Sequence, residues 1–507
     1  MPRPPLFVVS NREPYMHTRK PDGTIASTPT TGGVAVALDA LLRERGGTWI
    51  AHGAGDADRM VVDADDRVRV PPDAPAYTLK RIWLTPEEEQ RYYGGFSNEG
   101  LWPMCHIAHV RPVFRSEDWA EYRSVNARFA DAIASELDDP AAPVFIQDYH
   151  MALVASELRR RRPDAKTALF WHIPWPSPDR LRICPWRKEI IAGLLANDLL
   201  AFQVDRDRRN FLLCVREEMA EAVIDRSAVK FNGHLTRIIS APIGVDYDRI
   251  TRIATDVTMS AETDRLRRRL HLDRPDLIVG VGVDRLDYTK GIPERLEAID
   301  RLFSESPALR ETLVFVQVGV PSRSKLESYA SIEREIDARV ADINRRHGSG
   351  GAGPIVYRKS ALKIRRLVAL FRLADFCIVS SLHDGMNLVA KEFVAARSDE
   401  NGVLVLSEMT GAAQELTEAV IINPYDIDGF VSAIRSAIEM PPAEQRRRMR
   451  AMRRTVAGHN VFAWASDILE GLERLGPAPS GVRGLDAASA RALARSTEKH
   501  AIADDRR

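Results

Sequence analysis

No sign of charge dominates this chain: 72 Lys and Arg balance 71 Asp and Glu across 507 residues, for a formal charge of +1. Without a global field, composition points to no nucleic-acid or anionic-membrane partner, and an anionic ligand has to be met by local Arg and Lys. Cysteine is scarce. The four, Cys105, Cys184, Cys214 and Cys377, stand far apart with no CxxC pair, so neither a disulfide framework nor a zinc site is suggested. They read as small core residues in a reducing compartment. Long apolar runs are missing too: the run at residues 6–10 (LFVVS) is far too short for a signal peptide, and no window approaches a membrane span. The expectation is a cytoplasmic protein.

The length exceeds one ordinary core, so two large domains are expected. The chain is organised around residues 384–392 (DGMNLVAKE), which follow an apolar run at 376–381 (FCIVSS) that reads as a buried strand. Phe393, Val394, Ala395 and Ala396 read as the first turns of a helix, which puts the motif on a strand-to-helix turn. Such a turn aims unpaired N–H groups and a positive helix end at a phosphate or diphosphate. Gly385 permits close approach, while Asp384 and Glu392 offer carboxylates to hydroxyl groups. That combination suits a nucleotide-sugar.

From the start, strand 6–10 ends at Arg12, a long polar loop follows, and Gly32-Gly33 opens a helix at 34–42, a second candidate anion cradle. Tyr92, Tyr93 and Trp102 surround an expected glycine turn at Gly94-Gly95 and fit either a sugar pocket or a core. A βαβ unit at 144–171 puts Asp148 and His172 just past the carboxyl ends of two strands, where open parallel sheets bind ligands. Residues 241–245 read as the last strand of the first half, and 246–276 as a charged helical connection. The second half opens with a strand at 277–283 running into Arg285, Lys290 and Gly291, an arrangement that neutralises a diphosphate. Gly280-Val281-Gly282 lacks the third glycine of a dinucleotide fingerprint, which counts against a nicotinamide oxidoreductase. Arg323 ends the strand 313–320, and the segment after about Pro477 is expected to be a poorly ordered tail.

Ser10-Asn11-Arg12, Gly32-Gly33, the Tyr93-to-Trp102 spacing, Asp148-Tyr149-His150, His172-Ile173-Pro174, residues 285–291 (RLDYTKG), Ser322-Arg323 and 384–392 together resemble the trehalose-phosphate synthase family. The match runs in unbroken order from about Val8 to Asp426. The resemblance implies retaining glycosyltransferases of glycosyltransferase family 20 with the GT-B fold: α/β, two doubly wound Rossmann-like domains facing across a cleft. Expected bounds are an acceptor domain at 1–246, a nucleotide-sugar domain at 247–455, a helix at 456–475 packing back on the first domain, and the tail 476–507.

Carried over, the resemblance implies that Arg285 and Lys290 bind the donor diphosphate, with Gly33 nearby and the backbone of Asn387, Leu388 and Val389 closing on the phosphates. Glu392 would hold the ribose, and Asp384 and His172 the transferred glucose. Arg12, Tyr93, Trp102 and Arg323 would form the acceptor phosphate pocket, and Asp148 would bond the acceptor sugar. Arg285, Lys290, His172 and Asp384 are thus the candidate catalytic set. The implied substrates are UDP-glucose and glucose 6-phosphate, with no metal and no cofactor. A homo-oligomer is compatible, and a separate trehalose-phosphate phosphatase would act downstream. Arg12-Glu13-Pro14-Tyr15 and Pro185-Trp186-Arg187 also resemble glucosylglycerol-phosphate synthases, whose acceptor is glycerol 3-phosphate. A catalytically idle sugar-phosphate-binding homologue is the alternative of another class.

Overall fold

The structure is a computed structural model that describes residues 4–30, 33–324, 326–348 and 353–475. Gly32, the expected tail and most of the Gly-rich loop at 348–353 lie outside the described residues.

The first sheet has ten strands, in the order Val223–Asp225, Ala228–Phe231, His234–Ser240, Leu199–Phe202, Lys166–Trp171, Pro143–Gln147, Leu6–Arg12, Gly47–His52, Tyr77–Ile82, Arg67–Val70. The strands from His234–Ser240 to Tyr77–Ile82 are all parallel; antiparallel strands finish both edges. Because both faces are covered, the central strands are apolar throughout rather than alternating. In Leu6–Arg12, Leu6 and Val8 join Phe145 and Phe170 on one side, while Phe7 and Val9 join Val144 and Ile146 on the other. Chain order runs outward in opposite directions from Leu6–Arg12 and Pro143–Gln147, so the topological switch point lies between them.

The second sheet has six parallel strands in the order Ile355–Arg358, Leu313–Val320, Ile278–Arg285, Phe376–Val379, Val403–Ser407, Val420–Ile422. Its switch point falls between Ile278–Arg285 and Phe376–Val379, the two strands that lead into Lys290 and Asp384. The charged segment after residue 246 forms helices Tyr247–Ala254 and Met259–Arg269, which pack on helices Leu388–Ala396 and Ile364–Leu373 of this second unit. The last described helix, Val461–Arg474, crosses back to the first sheet and lies beside helix Gly33–Arg45. Trp464 anchors it: the buried indole meets Phe170 edge-on at 4.9 Å and Phe145 at 5.7 Å.

Four local expectations are corrected. The polar loop after Arg12 contains a hairpin, Tyr15–Arg19 with Ile25–Pro29, whose alternating pattern is too short to stand out. The expected glycine turn is a wide helix, Gln90–Leu101, in which Trp102 N–H bonds back five residues to Ser97. Gly95 serves there to admit the Asp118 carboxylate, which a Cβ would approach to 2.3 Å. The last strand of the first sheet is His234–Ser240, not 241–245, because Pro242 has no N–H to pair and Gln203 Oε1 takes the Ile243 N–H instead. The helix after residue 384 starts at Leu388, so Phe393 to Ala396 form its end.

Helix Val461–Arg474 completes the apolar layer of the first sheet, so Trp464→Ala is expected to cost about 3–5 kcal/mol. Urea unfolding should show that loss in the transition of the first sheet, although residue 464 is distant from it in sequence.

Candidate active site

Residues at the two switch points face each other across the cleft. They come close at Gly385, where a Cβ would stand 2.3 Å from the carbonyl oxygen of His172. Only glycine lets the backbone of one domain come this near the other. Asn387, at φ 76°, caps helix Leu388–Ala396 by accepting the Ala390 N–H at 3.2 Å. Its Nδ2 donates to Asp384 Oδ2 at 3.2 Å, so the cap and the site share one side chain. The first-turn N–H groups at Leu388 and Val389 have no partner within the helix, the condition that suits a helix start to an anion. Gly33 opens helix Gly33–Arg45 in the facing domain.

Lys290 Nζ donates to Asp384 Oδ2 at 2.5 Å. Burial alone would push the Asp384 carboxyl up, but the Lys290 charge and its hydrogen bond more than offset this and hold it at about 2. Arg285, at the end of its strand, has its guanidinium 5.7 Å over the Trp102 ring and makes no ion pair among the described residues. Asp287 lies below both cations. Its Oδ1 accepts the Thr289 N–H at 3.0 Å, and it stays ionised because the charges of Arg285 and Lys290 outweigh burial.

On the opposite wall, Trp102 carries a second guanidinium, Arg323, at 4.3 Å. Arg323 donates to Tyr329 Oη at 2.6 Å and to Tyr149 Oη at 3.2 Å, and it lies 6.0 Å over Tyr93. Burial raises the Tyr93 phenol, yet the charges of Arg323 and Arg12 bring it down to about 8. Tyr93 stacks on His150 at 5.3 Å. Trp102 Nε1, His150 Nε2 and Arg323 Nε are buried without a partner among the described residues, so this wall has polar groups in reserve for a ligand.

Asp148 and His172 are tied together. Asp148 Oδ1 accepts the N–H groups of Tyr149 (2.9 Å) and His172 (3.2 Å), and burial raises its carboxyl to about 6. His172 Nε2 bonds Gln147 Oε1 at 3.0 Å, which makes it the donor and leaves Nδ1 unprotonated; burial lowers the ring to about 3. Glu392 sits one turn into its helix, and burial raises it to about 7. Tyr93, Trp102, Asp148, His172, Arg285, Lys290, Arg323 and Asp384 are thus linked around one cleft, with Arg12, whose charge reaches Tyr93, exposed.

Sequence reasoning passed over Tyr329, Asp287, His106 and His383. Tyr329 lies inside the long helix Glu327–His347 and carries no motif. The two histidines adjoin motif residues, and that adjacency was the available signal. Glu13, part of the variant Arg12-Glu13-Pro14-Tyr15, turns away from the cleft: buried, it bonds Arg81 at 2.8 Å and the Ala54 N–H at 3.2 Å. Trp186 likewise stacks on Trp119 at 5.2 Å inside the first domain. Both variant segments thus shape the domain interior.

Two doubly wound domains closing on a cleft lined by an ion-paired carboxylate and two arginines are the architecture of a GT-B glycosyltransferase. The sequence matches glycosyltransferase family 20 over residues 4–474, and the chain belongs to that family. It is 38% identical over 482 residues to the trehalose-6-phosphate synthase of Mycobacterium avium, covering 93% of this chain and 96% of that one. A Burkholderia xenovorans alpha,alpha-trehalose-phosphate synthase (UDP-forming) solved with glucose-6-phosphate superposes with a TM-score of 0.81, at 33% identity over 92% of this chain and all of that one. An E. coli structure bound with UDP-2-fluoro glucose gives 0.83, at 30% identity over 93% and 99%.

The raised Glu392 carboxyl fixes a sign. Below about pH 4.5 it is protonated whether folded or unfolded and costs nothing; as pH rises towards 7 only the unfolded chain ionises freely, so stability is lost. Glu392→Gln is expected to raise the melting temperature at pH 8 and to leave it nearly unchanged at pH 4.5, while weakening nucleotide binding in a titration with UDP.

Proposed function

We propose that this chain is an alpha,alpha-trehalose-phosphate synthase, transferring glucose with retention from UDP-glucose to glucose 6-phosphate to give trehalose 6-phosphate. The observation that carries the reading is the Trp102 ring, which holds the guanidinia of Arg285 at 5.7 Å and Arg323 at 4.3 Å. One indole that draws in two arginines gives the cleft two anion-binding groups, which divide between a sugar diphosphate and a sugar phosphate as the transfer requires. The names and bound ligands of the relatives agree with that division.

Arg285 and Lys290 take the donor diphosphate, with the N–H groups at Leu388 and Val389 and the helix start at Gly33 on either side. Glu392 receives the ribose hydroxyls. Asp384, kept ionised by Lys290, accepts from the glucose hydroxyls, and neutral His172 lies against the same ring. Arg12, Tyr93 and Arg323 hold the acceptor phosphate, and Asp148 turns Oδ2 to the acceptor sugar. The glucose C1–O bond to the diphosphate breaks as the acceptor hydroxyl forms a bond on the same face, and the hydroxyl proton passes to the departing phosphate oxygen. Negative charge grows on the diphosphate during this step. Arg285 and Lys290 stabilise it most strongly in the transition state and do so without a metal ion.

The test is acceptor-dependent release of UDP from UDP-glucose, run beside each other with glucose 6-phosphate and glycerol 3-phosphate, the product being identified by NMR. Turnover with glucose 6-phosphate and an α,α-1,1 linkage is expected; turnover with glycerol 3-phosphate alone, or none with either, overturns the reading. Arg285→Ala and Lys290→Ala should each lower kcat about a hundredfold, or about 3 kcal/mol. Excess EDTA should leave the rate unchanged.

A further inference from the structure

Residues 106 and 107 follow directly on the short helix Trp102–Cys105. The other domain grips both backbone groups of Ile107: its N–H donates to His383 Nδ1 at 3.2 Å, and its carbonyl accepts from Tyr425 Oη at 3.4 Å. Ile107 is 56% exposed, so packing does not explain the grip. His383 immediately precedes Asp384 in the chain. Next to Ile107, His106 lies flat on the Trp102 indole, with ring centroids 4.2 Å apart. Its Nδ1 bonds the Trp102 carbonyl at 2.8 Å. The His106 and His383 rings meet edge to face at 6.1 Å.

Backbone partners settle both tautomers. A carbonyl can only accept, so His106 carries its proton on Nδ1. An N–H can only donate, so His383 Nδ1 presents its lone pair. The charged groups around the pair are Arg206 and Asp384 beside His383, and Asp287, Asp384 and Lys290 around His106. Burial keeps both rings neutral, His383 at about 3 and His106 at about 4, so the lone pair stays available at neutral pH.

We propose that His383 is a positioning residue: by accepting the Ile107 N–H across the cleft, it holds the Trp102 wall in register with Asp384. The Asp384 loop and Trp102 belong to different domains, and this bond joins them through His383, next to Asp384, and Ile107, just past the helix that begins at Trp102. Its action on turnover rests on the reading of Trp102 and Arg323 as the acceptor wall. The bond itself does not.

His383→Leu removes the acceptor and His383→Asn restores an oxygen close to the Nδ1 position. Amide hydrogen exchange, followed by mass spectrometry on a peptide spanning Ile107, should show faster exchange in His383→Leu and protection close to the parent in His383→Asn. Equal protection in all three proteins overturns the proposal, whatever the substrates prove to be. In turnover with the phosphorylated acceptor, His383→Leu should raise the acceptor KM about tenfold with kcat lowered by less than threefold, and His383→Asn should bring KM back to within about twofold. Equal losses in both variants, with lowered melting temperatures, would mark His383 as merely structural and overturn it. An inactive parent enzyme would instead defeat the proposed function and leave the exchange result to decide the bond.

Discussion

The Lys290–Asp384 ion pair is the constraint on which the site depends. It joins the ends of the two strands that flank the second switch point, and it does so where water is largely excluded. Two opposite charges removed from water hold each other's protonation state, and removal of either leaves a costly unpaired charge. Asp384 stays a pure acceptor, and Asn387 links the pair to helix Leu388–Ala396. A diphosphate entering this cleft adds negative charge beside Lys290 and Arg285, which the pair already balances on one side only.

That arrangement works because the domains approach closely. The backbone of Gly385 passes the His172 carbonyl with no room for a side chain, and Arg323 of one domain packs on Trp102 of the other. Behind the cleft, the buried Lys391 ammonium bonds the Ile243 carbonyl at 2.7 Å and Glu415 at 2.5 Å, fastening the donor-site helix to the segment between the sheets. His459 adds a bond to Glu415 at 2.7 Å. A residue between two motif positions thus serves the hinge rather than the ligand, and its neighbour Glu392 faces the other way with a carboxyl that burial raises.

The strands were the most legible part of the fold. The apolar run at 313–320 became a strand at those bounds, since a sheet buried on both faces demands continuous apolar residues. The wide helix Gln90–Leu101 was not legible: two adjacent glycines ordinarily signal a turn, and the Asp118 carboxylate that fills the space beside Gly95 comes from another helix. The start of helix Leu388–Ala396 was misjudged because Asn387 caps it from a left-handed conformation that spacing does not display. Tyr329 escaped notice for a similar reason, since it meets the site through Arg323.

The sequence by itself determined the two βα units, the strand-end positions of Arg12, Asp148, His172, Arg285 and Asp384, and the family resemblance that assigned them chemistry. These follow from local rules: side-chain period, strand-end polarity and glycine at close turns. Only the tertiary structure decided which charges meet. Lys290 and Asp384 lie 94 residues apart and Arg323 and Tyr149 174 apart, yet each pair is bonded. Burial in the assembled cleft raises both carboxyls, and the Lys290 ammonium that folding brings to one of them separates Asp384 at about 2 from Glu392 at about 7 although both belong to one nine-residue motif. The physical reason is that a carboxyl's protonation depends on the neighbours and solvent that remain after folding, and no local pattern encodes either.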